Sequence, residues 1–199
     1  MKKFELTAES KINIFGKKLF RIKALISFGD VEEGETGGWI EKEENLEQSS
    51  GNAWVYGNAE VSGNAWVYGN AEVYGNARVY GNAEVSGNAW VYGNAEVYGN
   101  ARVYGNAWVS GNARVSGDAE VSGNADYTTI HGFGTQFRTT TFFQCEDKQI
   151  RVSCGCFLGT IPEFREQVKN TREGKIAEEY LMIADLMEKH FVKEKESGE

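Results

Sequence analysis

A six-residue period runs without interruption from residue 51 to residue 128, as thirteen hexads of the form Gly-Asn-Ala-x-Val-x, with Asp118 and Tyr127 the departures in the last two. This self-similarity limits the possible folds more than any other feature, because a single hexad can bury its valine only by stacking on other hexads. Valine is β-branched and suits an extended strand, and its side chain fills the interior of the stack. Gly-Asn is a turn dipeptide in which both residues tolerate the positive φ of a tight corner. Alanine points inward where the corner leaves little room. Three such sides close a triangular coil, and each coil stacks on the last by parallel hydrogen bonding at about 4.8 Å. The predicted fold is mainly β: a left-handed parallel β-helix of about four to six coils, whose hexads form a prism roughly 20 Å long. A disordered Gly/Asn-rich tract would lack an inward valine in every unit, each worth roughly 1.5–3 kcal/mol when buried. Right-handed parallel alternatives lack the strict six-residue period.

Hexads three apart share a face of the prism. The first face carries Trp54, Glu72, Trp90, Trp108 and Asp126, with Tyr56, Tyr74 and Tyr92 beside them. The second carries Glu60, Arg78, Glu96 and Arg114, and the third Trp66, Glu84, Arg102 and Glu120. The charged columns read as self-stabilisation, since opposite charges on adjacent strands contribute about 0.2–1 kcal/mol per pair. The asparagines should form three amide ladders along the corners. The aromatic face differs, because a contiguous exposed aromatic patch marks a contact surface. Its candidate binding residues are Trp54, Tyr56, Tyr74, Trp90, Tyr92 and Trp108. The sequences 63–83 and 87–107 are identical, which is a shift of four hexads rather than three. Copied residues therefore move to another face, as in an expanded spacer.

The flanks differ in composition. Within residues 1–50, segments 11–15 and 19–26 read as a hairpin around Gly16-Lys17, with Phe20, Ile22 and Ala24 sharing a face. Ile40 and Leu46 have the hexad spacing, so an irregular first coil begins before Gly51, and the whole segment caps an exposed solenoid end. Residues 129–193 read as a separate unit. Segments 139–145 and 149–157 form a hairpin, which places Cys154 and Cys156 on the same face. Thr160-Ile161-Pro162-Glu163 is a capping box opening a helix to about Asn170. A second helix runs from about Gly174 to residue 193, with Ile176, Tyr180, Ile183, Met187 and Phe191 on one face as core or oligomer interface. Residues 194–199 read as a frayed tail.

The formal net charge is -8. Lys+Arg against Asp+Glu runs 8 to 10 in residues 1–50, 3 to 7 in 51–128 and 10 to 12 in 129–199, so no basic stripe exists for general nucleic-acid binding. No stretch approaches the roughly 18 apolar residues of a membrane span, and the amino terminus has no apolar run behind its lysines. Three cysteines without framework spacing fit a reducing cytoplasm.

The hexads resemble the hexapeptide-repeat left-handed β-helix family, which includes acyltransferases and a class of carbonic anhydrases. The acyltransferases use a histidine in the coils, at a cleft between subunits of a trimer. Here residues 51–128 hold no histidine and no projecting loop. The anhydrases need three histidines, and this chain has only His131 and His190. No threonine array of the antifreeze kind is present. Cys145, Cys154 and Cys156 with His131 are weak metal candidates, since Cys-x-Cys is not a zinc-knuckle spacing. The expectation is no catalytic residue, no cofactor and no metal, with an acyltransferase acting through His131 as the residual enzyme reading.

Three further segments carry a narrower resemblance. They are Leu19 to Leu25 with Phe28-Gly29-Asp30-Val31, Gly37-Gly38-Trp39-Ile40 through Leu46, and Val152 through Thr160 with Glu163-Phe164 and Glu179-Tyr180. These resemble uncharacterised left-handed β-helix proteins of bacteria and their phages. The resemblance implies a phage or prophage origin and action by binding a host or defence macromolecule in the bacterial cytoplasm. A homotrimer is the expected assembly. The alternative is a small-molecule binder that stacks a nucleotide base on the aromatic face.

Overall fold

The computed structural model describes residues 2–191. An antiparallel hairpin of β1 (Phe4–Ile12) and β2 (Lys18–Ala24) leads through β3 (Thr36–Ile40) into the repeat. Twelve two-residue strands follow, from β4 (Trp54–Val55) to β15 (Glu120–Val121), one for each of twelve hexads. An antiparallel meander of β16 (Tyr127–Phe133), β17 (Arg138–Gln144), β18 (Ile150–Cys154) and β19 (Phe157–Thr160) then carries helices α1 (Ile161–Thr171) and α2 (Gly174–His190).

The repeat is a parallel β-solenoid in which each hexad pairs with the one three hexads on. Val61 pairs with Val79, and Val97 with Val115, in one of three columns. The valines from Val55 to Val121 and the alanines from Ala53 to Ala119 fill the interior, all fully or almost fully buried. Of the two residues that tolerate positive φ, only the glycine uses it, at the corners from Gly51 to Gly117. The reason is steric: a Cβ at Gly87 would lie 2.8 Å from the Gly105 nitrogen of the next coil. The asparagines instead build the three corner ladders, each amide donating to the next at 3.1–3.2 Å. They run through Asn64, Asn82 and Asn100 to Asp118, through Asn70, Asn88 and Asn106, and through Asn76, Asn94 and Asn112.

Each end of the prism is covered by its flank. Ile40 pairs in parallel with Val61 and Leu46 with Val67, so the chain does coil before Gly51. Those two steps are three residues longer than the step from Val61 to Val79, because the Leu46-to-Val55 corner is enlarged. The glycine pair inside β3 is required by packing. A Cβ at Gly37 would be 2.6 Å from Trp54 Cζ2, and one at Gly38 would be 2.6 Å from Val55 Cγ1. In β2, Leu19, Ile22 and Ala24 are buried, whereas Phe20 is only half-buried. The inward set thus departs from the expected alternation, and the β2–β3 register shifts between Arg21 and Lys23.

At the other end the thirteenth hexad leaves the solenoid. Tyr127 stands where valine is needed, and Asn124–Asp126 turn into a short 3-10 helix. Asp126 accepts hydrogen bonds from the Ser122 and Gly123 amides at 2.8 and 3.1 Å, so it does not join the first face as expected. The expected two-strand hairpin is a four-stranded meander, because Gly155 (φ +61) turns the chain between β18 and β19. That sheet is an interlayer. Phe143 and Cys145 close the solenoid core, while Phe142 and Val152 face the helices. Alternation along β17 explains this, since neighbouring side chains point to opposite sheet faces. Helix α1 has the expected capping box, with the Thr160 hydroxyl accepting from the Glu163 amide at 3.3 Å and Glu163 accepting from the Thr160 amide at 2.7 Å. The α2 stripe is core: Tyr180, Ile183 and Met187 are buried, and Ile176 and Phe191 pack against them. Helix α2 ends at His190, and the expected tail at 194–199 lies outside the described residues.

Candidate functional site

Register puts aromatic side chains of successive coils directly above one another on the first face. Trp90 stacks on Trp108 with ring centroids 5.0 Å apart and planes within 6° of parallel. Tyr74 stacks on Tyr92 at 5.0 Å and 4°, and Tyr74 meets Trp90 edge-on at 6.2 Å. Four of the six expected residues therefore form one contiguous array. Each stack covers the facing sides of its two rings and leaves ring edges and the outermost ring face of the column toward solvent. Trp108 ends its column and is 45% exposed.

The other two expected residues lie elsewhere. Trp54 is not on the surface but fully buried, with Phe4 6.1 Å and Phe28 5.4 Å from its ring in edge-to-face contact. The amino-terminal segment wraps the first coil and turns an outward position into core. Tyr56 is half-buried against the same core, and burial, then the charge of Glu72, pushes its hydroxyl up to about 12. Burial and then Asp30 raise the carboxyl of Glu72, which sits between Trp54 and Trp90 in the column.

Two further aromatic groups were not singled out from the sequence. Trp66 stacks on Tyr68 at 4.0 Å on the third face. Phe15, at the hairpin tip, lies 4.7 Å from Tyr80, which stacks on Tyr98 at 4.9 Å. The Tyr80–Tyr98 pair is legible as two tyrosines three hexads apart. Phe15 is not, because its place depends on how the hairpin folds back along the prism.

The charged columns stand in the expected register: Glu60 beside Arg78, Arg78 beside Glu96, Glu96 beside Arg114, and Arg102 between Glu84 and Glu120. Arg78 pairs with Glu96, Arg102 with Glu120, and Arg114 with Glu96 at 3.3 Å. No like charges are register neighbours anywhere in the solenoid.

The expected metal candidates are separated by the sheet. Cys145 is buried on its solenoid side, where burial raises its thiol to about 11. Cys154 packs on the helix side and Cys156 is exposed on the β18–β19 turn, so the two do not share a strand face as expected. His131 is exposed, its Nδ1 3.3 Å from the Thr139 hydroxyl. Among the described residues no group of three or more His, Cys, Asp or Glu side chains is arranged to hold a metal ion. A groove of about 610 Å³ runs between the last coil and the meander, lined by Asp118, Glu146, Asp147, Arg151 and Glu163. Its carboxylates are engaged locally: Asp147 by the Gln149 amide and Arg151, Glu163 by the Thr160 amide and hydroxyl. These contacts hold both carboxyls below their usual range.

Comparison with protein families gives one match, to the YdcK β-solenoid repeat, at residues 71–93, 95–111 and 107–123. The match covers about a quarter of the chain, all within the hexads. Together with the parallel coils it places the central segment among repeat β-helix proteins. Comparison with curated proteins gives no match. Among the described residues no helix is long and apolar enough to cross a membrane.

Proposed function

We propose that the protein is a non-catalytic β-solenoid that binds a macromolecule through its first face. The supporting observation is the array of Tyr74, Trp90, Tyr92 and Trp108, four aromatic side chains held rigidly in register by the coils. Large aromatics that lose little freedom on binding are the residues that dominate protein interfaces. The narrower resemblance makes the partner a bacterial host or defence component and the protein a phage product working in the host cytoplasm. The flat prism sides suit a homotrimer. Native mass spectrometry of the protein purified gently from a bacterial host tests both parts. The expected result is a threefold protomer mass carrying a partner, with the partner lost in the Trp90→Ser/Trp108→Ser variant while the oligomer remains. A strict monomer, or a partner retained by that variant, overturns the reading.

One observation favours a second reading, a small nucleotide-like ligand. Trp108 ends its stack and is 45% exposed, which leaves ring surface on which a planar base can stack. Titration calorimetry with nucleotides would then show heat that disappears in Trp108→Ala, and no heat with any nucleotide sinks it. An acyltransferase reading through His131 finds no support in its exposed position beside Thr139.

A further inference from the structure

In this acidic chain, two of the eight arginines have no acidic partner among the described residues, and both line the same small cavity. Arg21, Arg78, Arg102, Arg114, Arg151 and Arg165 each have a carboxylate within 4.0 Å. Among the described residues Arg138 and Arg172 have none within that distance. Among the described residues several lysines, Lys18 and Lys169 among them, also lack a carboxylate within that distance; the two arginines are set apart by sharing one cavity.

The cavity, about 210 Å³, lies between the start of β17, the β18–β19 turn and the carboxyl end of α1. Phe157, Phe164 and Val168 give it an apolar lining, and among the described residues no carboxylate lines it. Gly155 lets the Arg138 guanidinium lie against the turn that carries the two thiols: a Cβ there would be 2.5 Å from Arg138 Nη1. Arg172 spends one N–H on the Thr171 carbonyl at 2.9 Å and keeps its other donors. The field of both cations reaches the inner wall. Burial and then Cys154 raise the Tyr180 hydroxyl, while Arg172 and Arg138 act against them. Both arginines are solvent-exposed, and together they give the mouth of the apolar-lined cavity a positive potential that favours an anion.

We propose that this cavity binds a small dianion, a phosphate monoester or a compact dicarboxylate, with its charge across Arg138 and Arg172 and its carbon skeleton on Phe157 and Phe164. Charge count selects the class, because a phosphate monoester carries about -1.5 to -2 near neutral pH and guanidinium forks match its oxygens. Size limits it, because the cavity is smaller than the roughly 300–1,000 Å³ of sites that enclose drug-sized ligands.

Cys156, exposed on the rim, gives a direct readout in the full-length protein. Its alkylation rate is measured with anionic iodoacetate and with neutral iodoacetamide, the site being resolved from Cys154 by fragment mass. The expected ratio of the two rates is about tenfold above that of free cysteine, since a focused positive field concentrates the anionic reagent. Arg138→Gln/Arg172→Gln should return the ratio to the free-cysteine value without lowering the melting temperature, and the double lysine variant should keep most of the excess. Inorganic phosphate and succinate are then added as competitors against chloride at matched ionic strength. Protection by phosphate alone identifies the ligand as a phosphate monoester, and protection by succinate alone identifies a dicarboxylate. A ratio equal to that of free cysteine, or protection by neither anion, overturns the proposal.

Discussion

Trp54 and Trp108 occupy the same column of the repeat and meet opposite environments. Trp54 is fully buried under Phe4 and Phe28, whereas Trp108 is 45% exposed at the end of its stack. Trp54→Ala should cost about 3–5 kcal/mol of unfolding free energy, and Trp108→Ala no more than about 1.5, the stacking contribution. Denaturant titration of both variants checks the contrast, and equal losses would place Trp54 at the surface. Lys3 gives a pH signature. It is buried, with Nζ 3.0 Å from the Ala53 carbonyl and 4.7 Å above the Phe28 ring. Burial, partly offset by Glu47, pulls its ammonium down from 10.5 to about 8. Below about pH 8 the folded and unfolded chains both hold this proton. Between about 8 and 10.5 only the unfolded chain holds it, so stability rises with pH across that window. Relative to Lys3→Met, the wild type should gain about 3 kcal/mol at most over that window. A flat difference would mean that Nζ stays hydrated in the folded protein.

At the scale of one coil, glycine at the corner serves two separable needs. Gly87 and Gly111 share nearly the same positive φ, +67 and +66, but only Gly87 has another coil against it. A Cβ at Gly87 meets the Gly105 nitrogen at 2.8 Å, while one at Gly111 meets nothing within 4 Å. Gly111→Ala should therefore cost only the backbone strain, about 1 kcal/mol, and Gly87→Ala about 1–3 kcal/mol more through overpacking. Equal melting temperatures for the two variants would show that coil-to-coil contact does not select the glycine. The hexad pattern made this element legible: inward valine, inward alanine, corner glycine and asparagine ladder all follow from one period. The flanks were less legible. In the carboxyl-terminal unit the sequence pattern runs one strand through Gly155, because Cys-Gly-Cys carries no strong breaker besides its glycine, whereas the chain turns there and forms four strands rather than two.

Over the whole molecule, the outward charges carry information about length. The identical stretches 63–83 and 87–107 are offset by four hexads, so duplication moves each copied residue to a different face. Yet no like charges end up as register neighbours. Excising residues 63–86 preserves this property: Glu60 would then neighbour Arg102, and every solenoid residue met by the amino-terminal cap would have an identical replacement. Excising residues 87–104, one regular coil, would set Arg78 beside Arg114 and Glu84 beside Glu120. Both shortened proteins should fold. Added salt should raise the melting temperature of the second by screening its repulsions, and leave unchanged or lower that of the first. The same sign of salt response in both would show that the columns do not interact across coils.

The sequence by itself determined the solenoid, its register, the stacked aromatics of the first face and the charge columns, because a strict period makes every neighbour a fixed number of residues away. Only the tertiary structure decided that Trp54 is core, that the thirteenth hexad leaves the stack, that Cys145 and Cys154 lie on opposite sides of a sheet, and that Arg138 and Arg172 share a cavity. Those outcomes depend on contacts between segments distant in sequence, where non-repeating chain folds against the ends of the prism and no local period encodes which side chains meet.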